Sequence, residues 1–330
     1  MFAKSAFSTH RHQRVMTVLW AASALAFPVS LPGAVTEWES SLRRNVAWQV
    51  ALDNLGFSPG LIDGQIGFKT QIATKEFQRV RGLPVTGELD DATAKALAVD
   101  PDGVLGKYTV EAADLAEIGP CPQSWVAKSK LVRLGHESLD DVLAEKFHCK
   151  KALLNTLNPG KSLNHLKAGA QVVVPILDGR QEWPAAACLE VNLAEKIIRV
   201  IGPDRRLIAL FHCSIAANKA KLPDQDAEVI KVAANPVYSF DPKMWPEVKE
   251  RITEKLEIPP GPRNPVGRFW IGLSLPGYGM HGTPNPELIG KTGSHGCFRL
   301  ANWDAIRLGK MVRLGLPVRF VNSSGPMAFK

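Results

Sequence analysis

The 330-residue chain has no Cys-x-x-Cys pair and no His-x-x-x-His pair, the spacings on which metal-site assignments usually rest. It also has no long run of lysine or arginine, although 40 basic residues against 32 acidic ones leave a formal net charge of +8. Scattered cations without an aromatic-basic signature argue against nucleic acid as a partner. The charge still suits polyanionic surroundings such as a cell-wall polymer or anionic lipid. Charged residues are missing altogether from 15–35. Lys4, His10, Arg11, His12 and Arg14 precede that gap, 15–27 is apolar, and the small residues Ala24, Ala26 and Ala34 follow. This is the layout of a secretory signal peptide, with cleavage expected after residue 26 or 34 and export to a periplasm or cell wall. The alternative is an uncleaved membrane anchor, for which Ser23, Pro28, Ser30 and Pro32 make a poor spanning helix. No cysteine lies nearby to receive a lipid.

Cysteines number only five, at 121, 149, 188, 213 and 297, so an exported chain keeps at least one thiol unpaired within the molecule. The simplest pairing joins Cys121 to Cys149 and Cys188 to Cys213, because a bridge needs its Cα atoms within about 7 Å and separate regions seldom hold that distance. Four reduced, buried thiols are the other arrangement, and Cys213 in the apolar run 207–215 suits it.

What is present falls into three regions. Residues 45–97 read as helices punctuated by turns: 55–60 stops one helix, Ile62-Asp63-Gly64 turns the chain, 70–79 forms another helix ended by Gly82, and Asp90 caps a last short one. Residues 99–131 are a poorly patterned connector. A helix is then expected over 138–147 and a second over 151–157, broken at Asn158-Pro159-Gly160, with a strand at 171–174. A linker spans 178–187. Beyond it 188–192, 196–201, 207–215, 228–233 and 268–273 are rich in Val, Ile and Phe and predict a mostly antiparallel sheet. A helix capped by Asn302 runs to Gly315.

The stretch that carries chemistry contains Met280-His281-Gly282-Thr283 and Ser294-His295-Gly296-Cys297-Phe298-Arg299. Thiol catalysis needs a thiolate, scarce at neutral pH for a pKa of about 8.5, so an imidazole must take the proton or stabilise the anion. His281 and His295 are the candidates. Gly296 permits close backbone approach, which lets the amides around Gly296 and Cys297 point at a developing oxyanion. The competing reading is a zinc site of His281, His295 and Cys297, completed by His212 or another cysteine.

Three resemblances follow. Leu55-Gly56-Phe57, Ile62-Asp63-Gly64, Gly67, Thr70, Phe77-Gln78, Gly82-Leu83 and Thr86-Gly87 make 37–98 similar to the peptidoglycan-binding domain 1 family, with a departure at Ile72-Ala73-Thr74. Asn158-Pro159 and 166–175 resemble a LysM module, strand, two helices, strand, within 99–178; His136-Glu137-Ser138 replaces its usual Gly-Asp-Thr, and glycan binding and a structural spacer both stay open. Residues 281–283 and 294–297, with Gly267, 302–305 and Pro317-Val318, resemble the YkuD-like L,D-transpeptidase family over 186–322.

These resemblances imply a multidomain chain: a small helical wall-binding module, an α/β LysM-like module and a mainly β, sandwich-like catalytic domain. They imply Cys297 as nucleophile, His281 as general base and His295 as a residue that supports the pair from outside or faces the substrate. Ser294, Gly296, Gly282 and Thr283 would support the site, Arg299 would bind a substrate carboxylate, and neither metal nor cofactor is needed. The implied substrate is a peptidoglycan stem peptide, cut between its third residue and D-alanine. The acceptor is a second stem, water, or an outer-membrane lipoprotein lysine. The insertion 218–265, with Trp245 and Pro259-Pro260-Gly261-Pro262, is either a lid or a decorated loop. A tethered arrangement of modules predicts that removing 37–178 spares chemistry on a small stem peptide.

Overall fold

The computed structural model describes residues 36–323 apart from Gln181 and Pro246, so the expected leader at 1–34 lies outside the described residues. No helix among the described residues is long and apolar enough to cross a membrane.

Three helices open the chain, α1 (Glu37–Asn54), α2 (Phe68–Arg81) and α3 (Asp91–Leu97). Their ends obey local rules: Thr36 accepts from Glu39 N at the start of α1, Gly82 closes α2 in the left-handed conformation, and Asp90 accepts from Thr93 N. The turns between them are held by two buried amides. Gln78 Oε1 accepts from Thr86 N and Gly87 N, and its Nε2 donates to Glu88 O and Thr93 Oγ1. Gln49 does the same for Asp63, Gly64 and Gln65.

The middle region contains β1 (Leu105–Thr109), α4 (Ala112–Ala116), α5 (Trp125–Ser129), α6 (Leu139–Lys146), α7 (Lys151–Leu157) and β2 (Gln171–Pro175). β1 lies inside the stretch that sequence pattern left as a connector. It is a strand because β2 pairs with all five of its residues in antiparallel register, from Leu105↔Pro175 to Thr109↔Gln171, a partner too distant along the chain for local pattern to reveal.

The last region holds β3 (Cys188–Asn192), β4 (Ile197–Ile201), β5 (Leu207–His212), β6 (Ala227–Ala234), β7 (Tyr238–Phe240), β8 (Leu256–Ile258), β9 (Phe269–Leu273), β10 (Gly279–His281), β11 (Phe298–Arg299), α8 (Asn302–Met311) and β12 (Pro317–Val321). Eight of these strands order as β11-β10-β9-β6-β12-β3-β4-β5. The domain is mainly β as expected. It has two halves joined at β6, whose first residues pair with β12 and the rest with β9. Two pairs are parallel, β10 with β11 and β12 with β3. The chain just past β5 returns to the opposite edge, where Ser214 and Arg299 exchange backbone hydrogen bonds of 2.9 and 3.1 Å. One core, including Val191, Phe211, Val229, Met280, Phe298 and Leu308, fills the space between the halves and α8.

Several expectations need correction. Asn302 does not cap α8: Ala301 stands at the cap, and the Asn302 side chain points back to Arg268 N, Glu145 and Pro262 O. All five cysteines are free thiols. Cys188 and Cys213 cannot bridge without backbone movement, since β4 separates β3 from β5 and two strand spacings come to about 9–10 Å. The insertion 218–265 is not wholly an insertion, because it contains the central strand β6.

The linker 178–187 does not tether separate bodies. Leu52, Phe57 and Phe77 of the helical module share a hydrophobic cluster with Ile197, Ile201, Leu207 and Leu210 of β4 and β5. Residues 56–58 add main-chain bonds to the β5 edge through Ser58 N to Leu210 O and Leu210 N to Gly56 O, 2.9 Å each. The Arg199 guanidinium, with 1% of its side chain exposed, reaches Glu190, Glu195 and, across the junction, Glu76. Arg307 on α8 grips the buried Asp53 of α1 with both Nη atoms, at 2.9 and 2.8 Å.

Candidate active site

The parallel pairing of β10 with β11 builds the site. Met280 pairs with Phe298, and both side chains are fully buried in the core. Alternation then turns His281 and Arg299, which also pair, to the opposite face, where Gly279 also lies, while Cys297 sits in the bend immediately before β11. The Cys297 thiol meets the backbone of Gly279, two residues before His281 on β10. Gly279 has to lack a side chain, because a Cβ there would lie 2.5 Å from the Trp270 ring. Trp270, paired with His281 from β9, stacks on the imidazole with centroids 5.6 Å apart.

His281 is buried, and its Nδ1 lies 2.6 Å from Gly282 O. A carbonyl can only accept, so Nδ1 carries the proton and Nε2 keeps its lone pair. Burial, offset in part by that bond and reinforced by Arg299, lowers the His281 pKa to about 4, so the ring is neutral at pH 7. Burial pushes the Cys297 thiol up, against the lowering effect of a hydrogen bond from the Gly279 backbone. Its Sγ sits 3.6 Å from Gly277 O.

The loop before Cys297 is tied by Ser294, whose Oγ donates to Cys297 O at 2.5 Å and accepts from Gly296 N at 3.2 Å. This corrects the expectation for Gly296. Its amide is already engaged, its φ is not in the left-handed range, and a Cβ would meet nothing nearer than Gly277 O at 3.9 Å. Glycine here keeps the surface over the site open. Arg299 donates through Nη2 to Thr292 O and Gly293 O, and among the described residues no carboxylate lies within ion-pair distance of it.

Gly282 and Thr283 support His281 from behind. A Cβ at Gly282 would come within 2.2 Å of Asn302 Oδ1, and one at Gly267, whose φ is +63°, within 2.1 Å. These glycines let Asn302 pack under the His281 segment, where its Nδ2 donates to Glu145 Oε2 (2.8 Å) from α6. Glu145 also receives Arg268 Nε at 2.6 Å. Thr283 is buried and its Oγ1 accepts from Asn285 N. Sequence reasoning missed Trp270 and Glu145 here, and it gave Asn302, one of the positions 302–305 that carry the family resemblance, only the role of a helix cap.

His295 does not join the sheet face. It is 57% exposed in its side chain, lies 3.0 Å from Glu247 and packs against Trp245 with centroids 4.3 Å apart. Both partners belong to the segment around the β7–β8 hairpin. That segment is fastened to the middle region: Trp125 stacks on Phe240 at 4.1 Å, and Glu250 accepts from Ser124 Oγ, Trp125 N and Val126 N. The zinc reading fails on geometry. Among the described residues no group of three or more His, Cys, Asp or Glu side chains could hold a metal ion, and His212 is turned to Lys69 O at 3.1 Å.

A model of the L,D-transpeptidase catalytic domain matches residues 187–320, and one of a peptidoglycan binding domain matches 46–97. The L,D-transpeptidase YkuD of Bacillus subtilis is 47% identical over 182 residues, which cover 55% of this chain and 92% of that protein. The chain belongs to the L,D-transpeptidase family. The corresponding L,D-transpeptidase of Bacillus licheniformis is 26% identical over a stretch of the same length. A solved L,D-transpeptidase from Xylanimonas cellulosilytica superposes at TM-score 0.35 with 16% identity, over 84% of this chain and 92% of that one, too loosely to add to the sequence match. As an L,D-transpeptidase, the protein carries His281 at the end of β10 and Cys297 in the bend just before its parallel neighbour β11, both within the matched domain.

Proposed function

We propose that this L,D-transpeptidase is exported and acts on peptidoglycan stem peptides through a Cys297 acyl-enzyme. The reading is supported by a neutral, Nδ1-protonated His281 on β10 and by the hydrogen bond that the Cys297 thiol receives from Gly279, two residues before that histidine. With the thiol pushed up and the imidazole pushed down, the resting pair is a neutral thiol and a neutral base, not a preformed ion pair. The thiol proton then moves to His281 Nε2 as Sγ bonds to the carbonyl carbon of the third stem residue. The imidazolium returns that proton to the departing D-alanine amine as the C–N bond breaks.

The resulting thioester meets an acceptor. The amine of a second stem gives a three-to-three cross-link, water gives carboxypeptidase action, and a lipoprotein lysine gives anchoring. Arg299, whose charge faces carbonyl dipoles instead of a carboxylate, is suited to hold the stem's carboxylate beside the nucleophile. The helical module supplies affinity for the wall polymer, and the LysM-like region is a second contact to glycan. Intact-protein mass after incubation with a carbapenem, a mimic of the stem terminus, tests the core of this reading. One adduct, absent in Cys297→Ala, is the expected outcome, and an unmodified wild-type chain refutes it.

A further inference from the structure

A cavity of about 580 Å³ lies where the helical module meets the catalytic domain, a size typical of small-ligand sites. It is away from the face that carries Cys297 and His281. Its walls bring together Lys69, Lys150, Lys196 and Lys291, with Asp63, Glu195 and Glu287 as the acidic counterparts. Lys150 is paired with Asp63, and Glu195 is bonded to Arg199. Among the lining residues Lys69, Lys196 and Lys291 are then opposed by Glu287, with the buried Asp304 behind Lys69 as a further carboxylate, which leaves positive charge in excess in a partly enclosed space. Among the described residues neither Lys69 nor Lys291 forms an ion pair within 4.0 Å, and Lys196 donates only to Gly290 O at 3.0 Å.

Lys69 is held in place, since a Cβ on Gly60 would lie 2.8 Å from its Cδ and one on Gly290 3.8 Å from its Cε. Burial, followed by the charge of Lys291, lowers its pKa to about 8 against the opposing effect of Asp304. Phe68, 68% exposed, adds an apolar edge from the same turn. On the far wall Gly290 and Lys291 begin the loop that reaches Cys297, and Gly290 N is fastened to Ser214 Oγ at 2.9 Å.

We infer that this junction cavity is a second stem-peptide site, which takes the C-terminal carboxylate of a peptide between Lys69 and Lys291 with its apolar residue against Phe68. The inference rests on the reading of peptidoglycan stems as substrate, and it makes the helical module and the catalytic domain joint owners of one binding site. The experiment uses the full exported chain acylated at Cys297 by a carbapenem, so that the catalytic face is blocked. A tetrapeptide stem ending in D-alanine is titrated into it by calorimetry. The expected result is one remaining site, bound about ten-fold or more weakly by the C-terminal amide of the same peptide, a loss of about 1.4 kcal/mol. Lys69→Gln and the exposed Lys291→Glu each weaken the acid form by a similar factor while thermal melting is unchanged. No binding to the acylated chain, equal binding of the amide, equal competition by inorganic phosphate, or full binding by Lys291→Glu would each overturn the assignment. Failure of the carbapenem to acylate would instead strike the proposed function, and the two failures are read separately.

Discussion

Cutting the chain to residues 186–323 leaves every residue of the Cys297 face in place, yet the structure predicts that the fragment is crippled. Ile197, Ile201, Leu207 and Leu210 are each at most 4% exposed and face the helical module in a shared cluster. At ~1.5–3 kcal/mol per fully buried aliphatic side chain, the four represent ~6–12 kcal/mol. Halving that for contacts that survive within the sheet leaves ~3–6 kcal/mol, a large part of the ~5–15 kcal/mol that holds an ordinary domain. The β5 edge would also lose its bonds to residues 56–58, and the His281 support would lose Glu145. Melting followed by circular dichroism should show a fall of roughly 10–20 °C against the full chain, or no cooperative transition. Turnover of a soluble tetrapeptide stem should fall with it, contrary to the behaviour of tethered modules. A monomeric fragment that melts within about 3 °C of the full chain and keeps its kcat/KM would refute the reasoning.

Cys297→Ala should abolish turnover and leave the melting temperature unchanged, measured by stem hydrolysis and calorimetry; residual turnover removes Cys297 as nucleophile. His281→Ala should cost about 10²–10⁴ in kcat and His295→Ala much less, because His281 follows by two residues the Gly279 that bonds the thiol, whereas His295 is turned to Glu247. For His281, whose pKa is lowered to about 4, base function is lost only as pH falls through that value, so the acid limb of kcat/KM should lie near pH 4, and a limb at 6.5 would contradict the burial argument. Asp53 is held below the usual carboxylate range by Arg307 and His148 although burial alone would raise it, so its stabilisation is present above pH ~4 and is lost in acid. Arg307→Ala should accordingly cost about 3–5 kcal/mol at pH 7 in chemical unfolding, since it strands a buried charge. Thiol counting on the denatured, oxidatively produced chain should find five reactive groups.

Local chemistry alone determined much of this protein. The spacing of His281 and Ser294-His295-Gly296-Cys297 named the candidate nucleophile and base because thiol catalysis calls for those residue types, and Asp90, Gly82 and the turns of 55–87 placed helix ends because caps and left-handed positions act within a few residues. What the sequence could not hold was anything set by partners distant along the chain. β1 became a strand only through β2, and Asn302 left its cap position because Gly267, Gly282 and Glu145 converge on it. Cys188 and Cys213 were kept apart by the strand inserted between them. The union of the modules was equally invisible, since Ile197 and Leu210 read as ordinary core residues of a sheet whether the surface that buries them is their own domain or Phe57 and Phe77 of another. Hydrophobic burial is non-directional, so the pattern records that a face is covered, and only the tertiary structure decides by what.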